Sequence, residues 1–372
     1  MSTTNFFSSR QQKLIKAMQQ SGFDTLVITP SPSLFYLTGL HFHIMERPVL
    51  ALFTISMPPI MVIPQLEIRK TEGLSFPIQV FTYSDDPRTW GNVISEAFNQ
   101  GSKARCVGIE PLHMRFLEFD YIRKAIPDAE ILSAENLLSG LRIYKDNDEI
   151  KAMRKAVDAA QHALHTTLPL VKPGISEIDL AAELTIQLLR YGSQPEMAFS
   201  PIVSSGLNSA NPHAMPTNRK LASGDLLVID WGARVDGYIS DLTRTFAIEK
   251  IDSELSHIAE IVKNANIAGR ETASLGGTAG EIDKAARKVI DDAGYGEFFT
   301  HRTGHGIGLE SHEEPYIRGD NSLVLCPGMT FTIEPGIYLP GRGGVRIEDN
   351  MLITSQGAEC LSNLDRDLLI LG

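Results

Sequence analysis

Glu177-Ile178-Asp179-Leu180-Ala181-Ala182 recurs further along the chain as Glu281-Ile282-Asp283-Lys284-Ala285-Ala286. In both places a glycine-containing turn precedes the word. A glycine, Gly192 or Gly294, follows the helical pattern that the word opens, as is common at helix C-termini. Each word also follows a long segment of helical period, Glu149 to Leu168 in the first case and Glu254 to Ser274 in the second. Repetition on this scale points to two related halves, each a helix pair followed by strands. A pseudo-symmetric sheet with its helices on the outer face leaves a concave face for a site. The run Gly276-Gly277-Thr278-Ala279-Gly280 lacks a Gly-Lys-Ser/Thr ending and follows no strand, so it reads as a turn rather than a phosphate cradle.

Upstream of the first half, from Arg10 to about Asn136, helical segments alternate with short β-rich runs. Leu14, Ile15 and Met18 share one face of a first helix. Strands are expected at Asp24 to Thr29, Val49 to Ile55, Ile60 to Ile63, Ile78 to Tyr83 and Val107 to Glu110, with helices over Asn92 to Phe98 and Met114 to Ile126. The charged stretch Leu141 to Glu149 closes this region. The expected organisation is a small N-terminal α/β domain over residues 1–140 and a larger C-terminal domain over 141–372.

Composition limits what such a chain does. At 372 residues, with 43% hydrophobic and 21% charged residues, it is an ordinary globular protein with room for two cores. A net charge of −11 without a run of Lys or Arg argues against a nucleic-acid or anionic-membrane partner. Cys106, Cys326 and Cys360 are odd in number, widely spaced and set in apolar surroundings. They are expected as small buried hydrophobes in a reducing compartment rather than as a disulfide framework. Residues 1–20 hold no apolar leader segment and no later stretch approaches a membrane span, so a cytoplasmic location is expected.

The chemistry lies in four segments. Leu226-Leu227-Val228-Ile229-Asp230-Trp231-Gly232 is an apolar strand ending in an acid. A hairpin turn at Asp236-Gly237 then brings Asp241 alongside in Ser240-Asp241-Leu242-Thr243-Arg244-Thr245. Two carboxylates on paired strands, one of them closing a buried run, repel unless a cation neutralises them. His301-Arg302-Thr303-Gly304-His305-Gly306-Ile307-Gly308-Leu309-Glu310-Ser311-His312 spaces two histidines like a helical zinc motif, but its glycines forbid a helix and no Glu follows the first His. It reads instead as backbone packed tightly around a site. Glu334 in Phe331-Thr332-Ile333-Glu334-Pro335-Gly336-Ile337-Tyr338 and Glu348 in Gly344-Val345-Arg346-Ile347-Glu348-Asp349 sit beside short apolar strands. The turn Pro340-Gly341-Arg342-Gly343-Gly344 would set them side by side. Four carboxylates and one neutral His carry a charge that balances two divalent ions about 3.5–4 Å apart. Oxygen-rich ligation favours manganese, cobalt or magnesium, and zinc also accepts such ligands.

The order Asp230, Asp241, His305, Glu334, Glu348, with these flanking words, resembles the pita-bread metallopeptidases, a group that includes methionine aminopeptidase, aminopeptidase P and prolidase. The likeness is strong from Leu141 to the C-terminus and weaker before it. The N-terminal domain and the word Leu34-Phe35-Tyr36-Leu37-Thr38-Gly39 resemble the proline-specific branch. The fold this implies is α/β (α+β), with a curved antiparallel sheet covered by helices in the C-terminal domain. The activity it implies is release of an N-terminal residue from a peptide with proline in second place, by a homodimer holding two metal ions. By the same resemblance, His213 and His312 stabilise the oxyanion or pass a proton to the leaving nitrogen. Glu334 doubles as ligand and base, His301 lines the proline-side pocket, and Arg346 supports Glu348 through a contact behind the ligand.

Some prolidases carry an arginine just after the His-Glu-x-Pro word to hold a dipeptide's carboxylate. Here Tyr316 stands in that place, with Arg318 two residues on, which leaves dipeptides and longer peptides both open as substrates. His41 and His43 are expected at the surface or at an inter-subunit contact. A hydrolase of another small amide, or a silent peptide-binding relative, remains as an alternative.

Overall fold

Short apolar runs become strands and the amphipathic stretches between them become helices throughout residues 6–100 and 104–372, which the computed structural model describes. Of residues 1–20, read above for a leader segment, residues 1–5 lie outside the described part. The chain divides into two compact units, Met1–Arg142 and Ile143–Gly372.

In the N-terminal unit, α1 (Phe6–Ser21), α2 (Pro32–Thr38), α3 (Pro87–Phe98), α4 (Phe116–Ala125) and α5 (Glu135–Arg142) accompany one sheet. Its strands are β1 (Thr25–Ile28), β2 (Leu50–Thr54), β3 (Ile60–Pro64), β4 (Gln79–Tyr83), β5 (Cys106–Ile109) and β6 (Glu130–Ser133), in the order β4-β3-β2-β1-β5-β6. Val27, Leu50, Ile60 and Val62 pack with Trp90, Ile94 and Ile122 of the helices into one core. The five expected strands form. The sixth was not foreseen because it is a polar edge strand, mostly solvent-facing, with too little apolar alternation to read. The word Leu34–Gly39 proves to lie on α2, which Ser31 caps at one end and left-handed Gly39 stops at the other. All three cysteines are free, but half-buried rather than fully buried as expected.

The C-terminal unit opens with α6 (Asn147–Thr167), started by a reciprocal capping box between Asp146 and Glu149. Next come α7 (Glu177–Arg190), β7 (Ile202–Ser205), β8 (Leu226–Trp231), β9 (Arg234–Val235), β10 (Tyr238–Ile239) and β11 (Leu242–Ile248). The second half repeats the plan with α8 (Ser253–Thr272), α9 (Ala279–Asp292), β12 (Gly304–Gly306), β13 (Glu313–Ile317) and β14 (Thr330–Ile333). It ends with β15 (Gly336–Leu339), β16 (Gly343–Arg346), β17 (Asp349–Thr354), β18 (Gly357–Cys360) and β19 (Leu369–Leu371). The Asp236-Gly237 turn forms as expected, with both residues at positive φ and Val235 paired with Tyr238. No helix among the described residues is long and apolar enough to cross a membrane.

The curved surface is built from two principal sheets, β19-β11-β8-β7 and β13-β12-β14-β17-β18, rather than one continuous sheet. An isolated antiparallel bridge between Thr243 and Glu348 joins them. One helix pair covers each half: Ala160, Leu164, Leu180, Leu184 and Leu188 pack on Leu227, Ile229 and Trp231, while Ile258, Val262, Ala286 and Ile290 pack on Val345 and Ile347.

The duplication is real in the fold, but on the helices the repeated words are two residues out of step with it. The caps pair Ser176 with Thr278, and the buried faces pair Leu180, Leu184 and Leu188 with Ile282, Ala286 and Ile290. Aligning the words would instead set Ser176 against Gly280. Beyond the helices, Ser176 bridges Lys220 as Thr278 bridges Val324, and Gly224 and Gly328 take the same left-handed turn before β8 and β14. Counted from those glycines, Asp230 and Glu334 occupy equivalent places.

Candidate metal centre

Strand alternation aims the acids. Trp231, Leu242, Ile333 and Ile347 all point into helix-side cores, and each has an acid as its immediate neighbour: Asp230, Asp241, Glu334 and Glu348. Successive side chains on extended backbone face opposite ways, so all four carboxylates emerge on the side away from the helices. There they line one cavity of about 610 Å3 together with His305, His301, His312 and His213. The β14–β17 ladder ends at Ile333 opposite Asp349, and the β15–β16 hairpin begins at Gly336 opposite Arg346. Glu334 and Glu348 fall in the gap between these ladders, side by side as the intervening turn suggested.

His305 arrives on β12, squeezed between β13 and β14. A Cβ on Gly304 would lie 2.0 Å from the Thr332 carbonyl oxygen, and one on Gly306 would lie 2.2 Å from that of Glu314, so the strand closes only with glycine at both places. His305 Nδ1 lies 3.1 Å from the Gly306 carbonyl oxygen. With that nitrogen donating, Nε2 is the one turned to the centre, 3.3 Å from Glu334 Oε1 and 3.9 Å from Asp241 Oδ2. Donor atoms of Asp241, His305 and Glu348 all lie within 4.8 Å of one another.

This donor set fits a divalent cation on two independent grounds. Asp230 Oδ1 is buried and receives no hydrogen bond from the protein, an orphan that an ion would satisfy. The carboxyl groups also cannot all ionise as they stand. Burial, reinforced by Glu348, Asp230 and Glu334, pushes Asp241 well above the ordinary carboxylate range, and burial with Glu334 and Asp230 does the same to Glu348. Burial raises Asp230 too, against the pull of Arg346. Burial also opposes ionisation of Glu334, but the hydrogen bond and charge of His305 outweigh it and hold that carboxyl down at about 2.

These shifts give a prediction about ion removal. Asp241 and Glu348, raised in the folded ion-free chain, bind more protons there than in the unfolded chain, so their contribution to stability falls as pH rises. Burial holds His301 and His312 below the usual histidine range, His312 down at about 4. They cost stability on acidification with or without an ion, and so drop out of the difference between the two forms. Melting curves of chelated and metal-loaded protein should therefore separate as pH rises above the ordinary carboxylate range and converge on acidification. A gap that stayed constant across pH would overturn this account of the carboxylates.

Groups behind these carboxylates fix their positions. Arg346 is buried, with Nη2 donating to Asp230 Oδ2 at 2.6 Å, Nη1 to Tyr338 Oη at 2.8 Å and Nε to Thr243 Oγ1 at 3.2 Å. This corrects the expected contact with Glu348: Arg346 holds Asp230 directly and reaches Glu348 only through Thr243, whose hydroxyl donates to Glu348 Oε2 at 2.8 Å. It also corrects the substrate-binding part expected of Arg346, because all three guanidinium nitrogens already serve protein acceptors. Arg244 clamps Glu348 from the other side, through its carbonyl oxygen at 2.7 Å and through Asp349 Oδ1 at 2.8 Å. Asn350 Oδ1 accepts from the Asp241 amide while its Nδ2 donates to the Asp241 carbonyl.

Tyr338, Thr243, Arg244 and Asn350 all stand within or beside the words quoted above, but nothing local marked them, since their partners are distant in sequence. His301 Nε2 lies 2.9 Å from the same Tyr338 hydroxyl, and the His312 ring lies 4.0 Å from that of His305, centroid to centroid. His213 sits on an exposed loop at the cavity wall. His41 and His43 meet edge to face on the surface of the N-terminal unit, 5.1 Å apart.

A helix-covered, pseudo-symmetric sheet with buried carboxylates and a histidine around one cavity defines a class of metal-dependent hydrolases. Residues 151–355 match the profile of metallopeptidase family M24, and residues 10–144 match the creatinase/prolidase N-terminal domain. The chain belongs to metallopeptidase family M24. It is 34% identical over 360 residues to an Xaa-Pro dipeptidase of Lactobacillus helveticus, covering 96% of this chain and 98% of that protein. Among solved structures it resembles a dipeptidase from Pyrococcus horikoshii OT3, with a TM-score of 0.91, 38% identity and coverage of 97% and 100% of the two chains. A prolidase from Thermococcus sibiricus gives a TM-score of 0.92 at 33% identity, covering 98% and 99%.

Proposed function

We propose that this protein hydrolyses the bond between an N-terminal residue and a following proline, with dipeptides as its main substrates. The observation that carries the reading is the convergence of Asp230, Asp241, His305, Glu334 and Glu348 on one cavity of a family M24 fold. The names of similar proteins, Xaa-Pro dipeptidase and prolidase, support proline in second place. Two divalent ions, manganese first among them, would be held by these five residues, and when bound they acidify a shared water and polarise the scissile carbonyl.

The chain's own groups do the rest. Glu334 accepts the water's proton, and its side chain, 16% exposed, keeps an edge open to the cavity. His312 and His213 flank the cavity where charge develops on the carbonyl oxygen and where the leaving nitrogen needs a proton. His301, ordered by Tyr338, lines the proline side. Proline's nitrogen carries no hydrogen, so this pocket needs no acceptor for one.

Three free cysteines support a reducing location, and family likeness supports a homodimer. The presence of all five ligand-type residues speaks against a silent relative. Reconstitution of metal-free protein with manganese, followed by assays on Ala-Pro, Ala-Pro-Ala and Ala-Ala, tests the reading. Cleavage of Ala-Pro above the others is expected. Cleavage mainly of the tripeptide would make it an aminopeptidase P, and inactivity on both proline peptides across several metals would sink the proposal.

A further inference from the structure

We infer that Arg302 takes the C-terminal carboxylate of a dipeptide substrate, and that Tyr316 is the platform that holds it ready. The inference rests on the Xaa-Pro dipeptidase reading and names the group that selects dipeptides at that site.

An Xaa-Pro dipeptide brings its own carboxylate into the cavity, and an unspent cation on the wall would pair with it. Two guanidinium groups line the cavity, Arg302 and Arg346. Arg346 is spent on Asp230, Tyr338 and Thr243. Arg302 pairs with no carboxylate among the described residues. Its Cζ stacks 4.3 Å from the centre of the Tyr316 ring, and its Nη2 lies 3.3 Å from His312 Nδ1. Arg318, the other nearby candidate, pairs with Asp320 at 3.0 Å, is largely exposed and does not line the cavity. The tyrosine after the His-Glu-x-Pro word therefore does not leave the site without a cation. The β12–β13 pairing, extended by the Thr303 amide donating to the Ile317 carbonyl, brings Arg302, just before β12, onto Tyr316 of β13.

The position suits the chemistry. Arg302 neighbours His312, whose ring stacks at 4.0 Å on the ligand-type His305, so the guanidinium stands two rings out from the proposed ions. In a dipeptide the terminal carboxylate follows the scissile bond by a single residue, and consecutive Cα atoms are about 3.8 Å apart. A flat guanidinium fixed over an aromatic face loses little freedom on binding and offers two parallel donors to a carboxylate. A longer peptide presents an uncharged amide at that point and gains no such bond.

Wild type, Arg302→Met and Arg302→Lys are to be compared on Ala-Pro and its C-terminal amide as substrates. Proline and prolinamide, titrated calorimetrically into each metal-loaded protein, give a readout free of turnover. Wild type should favour the acid in both measurements. In Arg302→Met the acid-over-amide ratio in kcat/KM and in affinity should fall by roughly 10–100-fold toward one, mainly through KM, and Arg302→Lys should restore part of it. Tyr316→Leu, which keeps the charge but removes the platform, should give an intermediate loss. An unchanged ratio in Arg302→Met, including one where acid and amide weaken equally, would overturn the assignment, as would a wild type that binds proline no better than prolinamide. If no proline peptide is hydrolysed but the binding ratio is present in wild type and lost in Arg302→Met, the function proposed above fails while the assignment of Arg302 stands.

Discussion

Glu334→Gln should lower kcat by about 10^3-fold with KM little changed, measured at saturating divalent ion. Gln fills the same volume and keeps one oxygen for ligation, so the fold and most of the ion binding should survive. What disappears is the charge that accepts the water's proton. The carboxylate stands at the gap between the β14–β17 and β15–β16 ladders, where no strand neighbour competes for it. Removing a general base typically costs between 10^2 and 10^4 in rate, and its effect falls on the chemical step rather than on substrate binding. Ion content measured alongside separates the two parts assigned to Glu334. A variant that keeps its ions and its kcat would remove Glu334 from catalysis.

Arg346→Met should cost about 3–5 kcal/mol of stability in urea unfolding of the metal-free protein, because it leaves Asp230 buried without the charge that holds it. Four acceptors lose their donor at once: Asp230 Oδ2, the Tyr338 hydroxyl, the Thr243 hydroxyl and the Pro212 carbonyl oxygen. Asp230 and, through Thr243, Glu348 would both lose orientation, so affinity for the ion should fall by roughly 10–100-fold as well. Arg346→Lys supplies charge without the planar fork and should recover part of the stability but less of the affinity. A stability loss below about 1 kcal/mol would mean that solvent or a shifted side chain replaces the guanidinium.

The acids were legible because their chemistry conflicts with their surroundings. A carboxylate next to Ile229 and Trp231, or next to Ile333, stands out in a run that otherwise packs against helices. His305 was marked by its glycines, whose need became clear only when Thr332 and Glu314 were seen pressing on them. Arg346 was marked too, but its partner was not, since Asp230 lies on a strand of the other half and no local pattern links them. The repeat was read correctly as a duplication, although its words are shifted by two residues on the helices that carry them. Identity weighs every position alike, whereas packing preserves the caps and the buried face and lets the exposed residues drift. The cysteines were over-read as buried because apolar neighbours in sequence do not fix which side of a strand or turn a residue occupies.

The division of the proposed ligands between two sheets that meet at one bridge, Thr243 to Glu348, also bears on the order of folding. Asp230 and Asp241 come from the first half, and His305, Glu334 and Glu348 from the second, so neither half presents a finished coordination shell. Bringing such distant segments together requires long loops to close before the five residues meet at one centre. The ion is therefore a late arrival, in contrast to small zinc domains that fold around their metal. Its contribution should appear as slower unfolding, with refolding rates that coincide whether or not divalent ion is present.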